Sequence, residues 1–207
     1  MNFPNKVSNA TYLHHEYAAK GASPVTLAEA KAHARVIDNA DDAIIAAQLQ
    51  SATTYVETLI KSPLMSVTCK LYLDRFPSDG TIRLPAYPAK SVTSVQYKKV
   101  SQSPNLITLA SNQYVLTPWC PASICLSLTG IYPEADYNPP DFAVVVSYLA
   151  GYATTPEVPD PLKQAVLLMF THWYDNSRAA TTTENLKEAP HAVEMITRQY
   201  VQTRWTA

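Results

Sequence analysis

The sequence predicts an α+β fold: a helical bundle formed by N- and C-terminal helices, carrying a β-rich antiparallel insertion. Two observations about periodicity lead there. Apolar residues recur at helical spacing over 24–62 and again over 159–207, whereas over 63–158 they alternate in short stretches between Pro, Asn and Ser turns. Composition adds a third: 16 Pro, 13 Tyr and only 4 Gly in 207 residues favour Pro-bounded strands over glycine-lined loops. The first 23 residues carry neither period and read as an N-terminal arm. Residues 24–207 read as a single domain, made of helices over 24–62, the insertion over 63–158, and C-terminal helices and a tail over 159–207.

The first helix starts at Thr26, an N-cap with Glu29 three residues on, and Leu27, Ala30 and Ala34 continue along one face. It is expected to end near Asp38–Asn39. Asp41 and Asp42 favour a second helix N-terminus, after which Ile45, Leu49, Ala52, Val56 and Leu59 step by alternating fours and threes until Pro63 closes the helix. Next, Val67, Cys69, Leu71 and Leu73 alternate with Thr68, Lys70, Tyr72 and Asp74, a half-buried strand stopped at FPSDG. Further strands are expected at 81–84, 92–99, 106–109, 113–116, 122–128 and 142–149, arranged as an antiparallel meander or small barrel. Asp160 and Pro161 then open a helix with an apolar face of Leu162, Val166, Met169 or Phe170, and Trp173. Pro190 opens a last one with Val193, Ile196 and Tyr200 on one side.

Charge excludes several function classes. There are 16 basic and 17 acidic residues, a formal net charge of −1, and the balance holds within each of 1–61, 62–159 and 160–207. Sequence-independent nucleic-acid binding needs several phosphates neutralised together, and no linear basic patch exists. The four isolated glycines rule out both common phosphate-loop motifs. Cys69, Cys120 and Cys125 are too few for a disulfide scaffold and lack metal-ligand spacing, so free, partly buried thiols are expected. The longest apolar runs, such as 165–170, are far short of a membrane span, and the first 20 residues hold no apolar leader segment, so neither a membrane nor a secreted protein is expected.

His14, His15, His33, His172 and His191 fall in different elements, with no HExxH motif and no nucleophile elbow. The reading therefore assigns no catalytic, metal-binding or cofactor-binding residue. An enzyme or binding module would have to assemble its site from distant residues such as His33, His172 and Asp175. A different signal sits near the C-terminus: Trp205 with Arg198 and Arg204 beside it combines the residue types that concentrate in interface hot spots.

Several runs taken together carry a family likeness: PVTLAEAKAHARVIDNADDAIIAAQLQSATTYVET (24–58), LDRFP (73–77), IRLPAYPAKSVTSVQY (82–97), VVVSYLAGYATTPEVPDPLKQAVLLMFTHWYDNSR (144–178) and APHAVEMITRQY (189–200). In this order the sequence resembles the head-tail connector (adaptor) proteins of tailed bacteriophages, in particular the gp6-like and phiE125 gp8-like branches. The resemblance implies a non-enzymatic virion protein, assembled in the host cytoplasm, that forms a ring of typically twelve copies on the portal vertex. Such a ring extends the DNA channel, lets DNA pass without sequence-specific binding, and offers a platform to the next neck or tail-completion protein. Its implied partners are the portal protein, other copies of itself and that downstream protein. It makes Arg198, Tyr200, Arg204 and Trp205 candidates for portal contact, and Pro77, Asp79, Gly80, Ser101, Pro104 and Asn105 candidates for contact with a neighbouring subunit or downstream protein. A stopper or tail-completion protein is the alternative within the neck. The arm over 1–23 precedes the family pattern, and the proline-rich stretch 130–141 is expected to be an extended interface loop.

Overall fold

A computed structural model describes residues 12–17, 21–99, 105–118, 122–127, 132–133, 135, 142–178 and 191–201. Two compact units divide the chain, one containing 1–20 and 67–151, the other 21–66 and 152–207. Among the described residues, four α-helices and antiparallel sheets make up these units, in agreement with the predicted α+β class.

In the helical unit, α1 (Leu27–Ala34) opens on a complete capping box. The Thr26 amide donates to Glu29 Oε2 at 2.7 Å and the Glu29 amide to Thr26 Oγ1 at 3.2 Å. The Thr26 amide, helped by the Thr26 hydroxyl donating to the same oxygen at 2.8 Å, holds the Glu29 carboxyl below its ordinary pKa. The helix stops earlier than its sequence suggests. Arg35 adopts left-handed φ 55°, its amide turning back to Ala32 and Lys31 carbonyls, so 36–39 lie outside the helix. Helix α2 (Asp42–Ile60) buries Ile45, Leu49, Ala52, Val56 and Ile60, so the expected stripe closes on Ile60 while Leu59 is only partly buried. Lys61, at φ 57°, ends it, and the Glu57 carboxylate then accepts from the Leu64 amide at 2.8 Å.

Helix α3 (Asp160–Arg178) packs along α2 and buries Leu162, Ala165, Val166, Met169, Phe170 and Tyr174. Trp173, expected on this face, is half-buried and meets Tyr55 edge-on at 5.7 Å. Helix α4 (His191–Arg198) buries Val193 and Thr197, with Ile196 and Tyr200 packed at the margin of the same core. The stretch 181–183 and Pro190 lie outside the described residues.

In the β unit, the strands are β1 (Tyr12–Tyr17), β2 (Val67–Leu73), β3 (Thr81–Arg83), β4 (Ala89–Lys98), β5 (Leu106–Thr108), β6 (Tyr114–Thr117), β7 (Ser123–Leu126) and β8 (Val144–Ala150). They form a five-stranded antiparallel sheet, ordered β1-β2-β8-β4-β5, and a three-stranded sheet, β3-β7-β6. This corrects the expected meander: among the described strands only β1–β2, β4–β5 and β6–β7 are neighbours in both sequence and space, the first of these pairs with α1 and α2 between its strands, and β8, the last strand, lies between β2 and β4. Strand β2 alternates as its sequence demands, with Val67, Cys69, Leu71 and Leu73 buried. Val144, Val146, Tyr148 and Ala150 of β8, Val95 of β4, and Ile82 and Ile124 of the smaller sheet complete that core. Strand β1 is unannounced by any alternation, yet its register with β2 runs from Tyr12↔Leu73 to Tyr17↔Cys69.

Fully buried and stacked on Tyr174 at 5.7 Å, Phe170 anchors the α2–α3 packing. Phe170→Ala should lower unfolding free energy by about 4 kcal/mol, and Trp173→Ala by about 2 kcal/mol or less because that ring is only half-buried. Urea denaturation of the two variants, followed by far-ultraviolet circular dichroism, checks the difference.

Candidate assembly surfaces

The residues that an assembled enzyme site would use do not converge on a reactive arrangement. His33 of α1 is exposed and its Nδ1 lies 2.7 Å from Thr171 Oγ1 of α3, a hydroxyl and not a carboxylate. His172 is half-buried and Asp175 exposed, both on α3. Among the described residues no three His, Cys, Asp or Glu side chains are placed to hold a metal ion. Cys69 and Cys125 are free thiols, and burial pushes the Cys69 thiol up to about 12, so it stays protonated and unreactive near neutrality. Cys120 lies outside the described residues. No helix is long and apolar enough to cross a membrane among the described residues.

Surfaces tell more than cavities here. Helix α4 is anchored on one side by Val193 and Thr197, whose hydroxyl donates to the Val193 carbonyl at 2.8 Å. His191, Glu194, Met195 and Arg198, spaced by three, one and three residues, are all exposed and share the opposite face. Met195 stands 61% exposed there, and the Arg198 cation sits in the last turn, where it complements the helix dipole. Tyr200 behaves differently from Arg198: it is half-buried against the helical core, and its amide donates to the Thr197 carbonyl at 2.8 Å. Arg204 and Trp205 lie outside the described residues.

Two loop regions of the β unit were also expected to make contacts. At 77–80 the Gly80 amide donates to the Pro77 carbonyl at 3.2 Å, closing a turn, and Asp79 Oδ1 accepts from the Thr81 amide at 3.0 Å. Asp79 is exposed, whereas Pro77 and Gly80 are half-buried. The Gly80 carbonyl accepts from the Leu126 amide at 3.1 Å, so this loop is tied to the three-stranded sheet. Asn105 is exposed and leads into β5 of the other sheet, where Leu106 is 39% exposed. Ser101 and Pro104 fall outside the described residues, as do most of 130–141.

Sequence periodicity missed the most exposed apolar side chain among the described residues of the helical unit. Ile37 is 96% exposed in the α1–α2 connection, and Ile44 on the first turn of α2 is 54% exposed. The adjoining polar groups are engaged internally: Lys31 Nζ contacts Asp42 Oδ1 at 2.6 Å, and the Tyr174 hydroxyl donates to Asp41 Oδ2 at 3.1 Å. An isoleucine standing between two helices has no period to betray it. Only its position among Asp38, Asn39 and Asp41, where a polar residue would be the ordinary choice, marks it in the sequence.

Comparison with known proteins gives a consistent picture. The model of a family described as head completion protein matches residues 25–200. A chain in the neck of an empty gene transfer agent (GTA) particle, computed with C6 symmetry, is similar with a TM-score of 0.72 at 19% identity, over 92% of this chain and 96% of that one. A chain in the virion of a native GTA particle gives 0.71 at 20% identity, with the same coverage. One in the neck of a native GTA particle, computed with C12 symmetry, gives 0.69 at 19%, again over 92% and 96%. At such identities the likeness establishes the fold. No curated protein matches the sequence.

Gly80 holds the 77–80 turn at φ +71°, and a Cβ there would lie 3.1 Å from Leu126 Cδ1. Gly80→Ala should therefore destabilise the protein by about 1–2 kcal/mol through strained backbone and crowding. Ile37→Ser, in contrast, should stay within about 0.5 kcal/mol of the parent. Thermal or urea unfolding of both variants tests the assignment of one residue to the fold and the other to an outward surface.

Proposed function

The chain belongs to the head completion protein family, and from that premise we propose that it is the head-tail connector (adaptor) of its particle. It is a structural protein of the virion neck and not an enzyme. The observation that carries the reading is the family match from the start of α1 through the end of α4. The likeness in fold to chains of GTA necks and virions supports it.

In this reading many copies, twelve where the portal is twelvefold, close into a ring beneath the portal vertex. The role is performed by shape, symmetry and buried interface. A closed ring needs a heterologous contact, in which one patch of a subunit meets a different patch of the next. The Pro77–Gly80 turn, with Asp79 exposed at its tip, and the Asn105 region are the candidates for such neighbour or downstream contacts. The outward α4 face, with Arg198 and followed by Arg204 and Trp205, is the candidate for the portal. A net charge of −1 suits a lumen through which DNA must slide, because a strongly basic wall would retain phosphates. The next neck or tail-completion protein would then dock on the free side of the ring.

Mixing the purified protein with portal rings from the same particle, followed by electron microscopy with class averaging, tests the proposal. A symmetric collar on the narrow end of the portal is expected. Bare portals at micromolar protein would overturn the portal-binding role and favour a stopper or tail-completion position further along the neck. Deletion of 202–207 should reduce collar occupancy while the circular dichroism spectrum stays that of the full chain. Undiminished occupancy would remove Arg204 and Trp205 from the contact.

A further inference from the structure

The edge strand β1 is joined to the rest of its sheet in an unusual way. It pairs along β2 alone, with a register irregularity between Tyr12 and His14. Of its described side chains His14, Glu16 and Tyr17 are exposed, and only His15 is half-buried. His15 Nε2 lies 2.9 Å from the hydroxyl of Tyr148, a fully buried side chain at the centre of the sheet. The same hydroxyl accepts from the Ala86 amide at 3.2 Å. The His15 ring stacks on Tyr148 with centroids 6.0 Å apart and meets Tyr17 edge-on at 4.9 Å. One imidazole thus ties the strand, through a phenol, to the interior.

We propose that β1 is a proton-sensitive latch, docked on β2 while His15 is neutral and released from the sheet when His15 takes up a proton. The surroundings of the ring are the reason. On its side of the sheet the titratable groups packed round it are Tyr17 of its own strand, Cys69 of β2 and Tyr148 of β8, none of which supplies a negative charge near neutrality. His14, Lys70 and Tyr72 project to the other side, and the Glu16 carboxylate there accepts from the Tyr72 hydroxyl at 3.0 Å. Among the described residues an imidazolium at His15 would be a cation without a compensating anion, in a setting that penalises charge.

Burial, with a smaller contribution from His14, lowers the His15 pKa from 6.5 to about 4. The docked strand therefore binds fewer protons than the free one. Docking is at full strength above 6.5 and is lost progressively as pH falls from 6.5 toward 4. Release unpairs residues 12–17 and leaves β2 as the sheet edge, a change confined to one strand because Tyr148 and Ala86 keep their mutual bond.

Hydrogen exchange of the full chain, read by mass spectrometry and corrected for intrinsic rates, gives the test. Between pH about 7 and about 5, protection of 12–17 should fall on the order of tenfold, while that of 144–150 in β8 stays constant. His15→Phe, which fills the site without titrating, should abolish the pH dependence. An equal fall in 144–150, an unchanged 12–17, or the same fall in His15→Phe would each overturn the proposal. Should that variant fail to fold, an NMR titration of the parent decides: a His15 imidazole titrating well below 6.5 is required, and one titrating at the ordinary value refutes the latch.

Discussion

Everything in this fold depends on the chain leaving the helical unit and returning to it at one place. The helical core is assembled from both ends of the sequence, since α2 and α3 must pack along each other although the whole β insertion separates them. The separation is bridged by a short continuous set of backbone bonds. The Ser66 amide donates to the Tyr152 carbonyl at 2.9 Å, the Tyr152 amide to the Leu64 carbonyl at 3.0 Å, and from Val67↔Ala150 onward β2 and β8 run as an antiparallel ladder. Pairing the outgoing strand with the returning one brings the loop-closure entropy of the insertion into a single contact. Once β2 and β8 are paired, α2 and α3 have adjacent starting points, and their apolar stripes need only local search to meet.

That constraint explains which parts of the fold were legible. Helix α2 and strand β2 declare themselves because one buried face imposes a period, and each residue of that face is chosen by the same core. The place of β8 between β2 and β4 carries no such mark: Val144, Val145 and Val146 are all buried, and the alternation that follows through Tyr148 and Ala150 shows which face is inward but not which strands are its neighbours. Strand β1 was unreadable for a different reason. Its one inward anchor among the described side chains is a histidine, which any hydropathy pattern counts as polar, so YLHHEY looks like an unstructured arm. The early end of α1 is similarly invisible, because Arg35 in the left-handed region is a position where Gly or Asn is the usual signal.

Surfaces were less legible than cores. Periodicity places Val193, Ile196 and Tyr200 on one side and thereby leaves His191, Glu194, Met195 and Arg198 outward, whereas the burial of Thr197 on the inward face carries no hydropathy mark. Tyr200 lies past the helix yet keeps to that side, half-buried against the core. Ile37 departs from its residue type, a side chain that a composition scale assigns to the interior and the structure leaves in solvent. Both cases arise beyond helix ends, where the path of the backbone, and not residue type, decides burial.

The tyrosine content also means something more specific than interface area. Several of the tyrosines work as internal ties whose rings pack on apolar neighbours while the hydroxyl reaches a distant element. Tyr174 of α3 reaches Asp41 before α2, Tyr72 of β2 reaches Glu16 of β1, and Tyr148 of β8 meets both Ala86 and His15. In a chain with only 16% charged residues, these hydrogen bonds from neutral phenols, two of them to carboxylates, take over the cross-linking that ion pairs provide elsewhere. A phenol loses little conformational entropy and carries no desolvated charge, so it suits a tie that must hold across elements distant in sequence. The consequence for assembly is selective: tyrosines engaged in such ties are unavailable to partners. Contact surfaces must therefore be sought among side chains left outward at helix faces and turns, such as Ile37, Asp79, Met195 and Arg198.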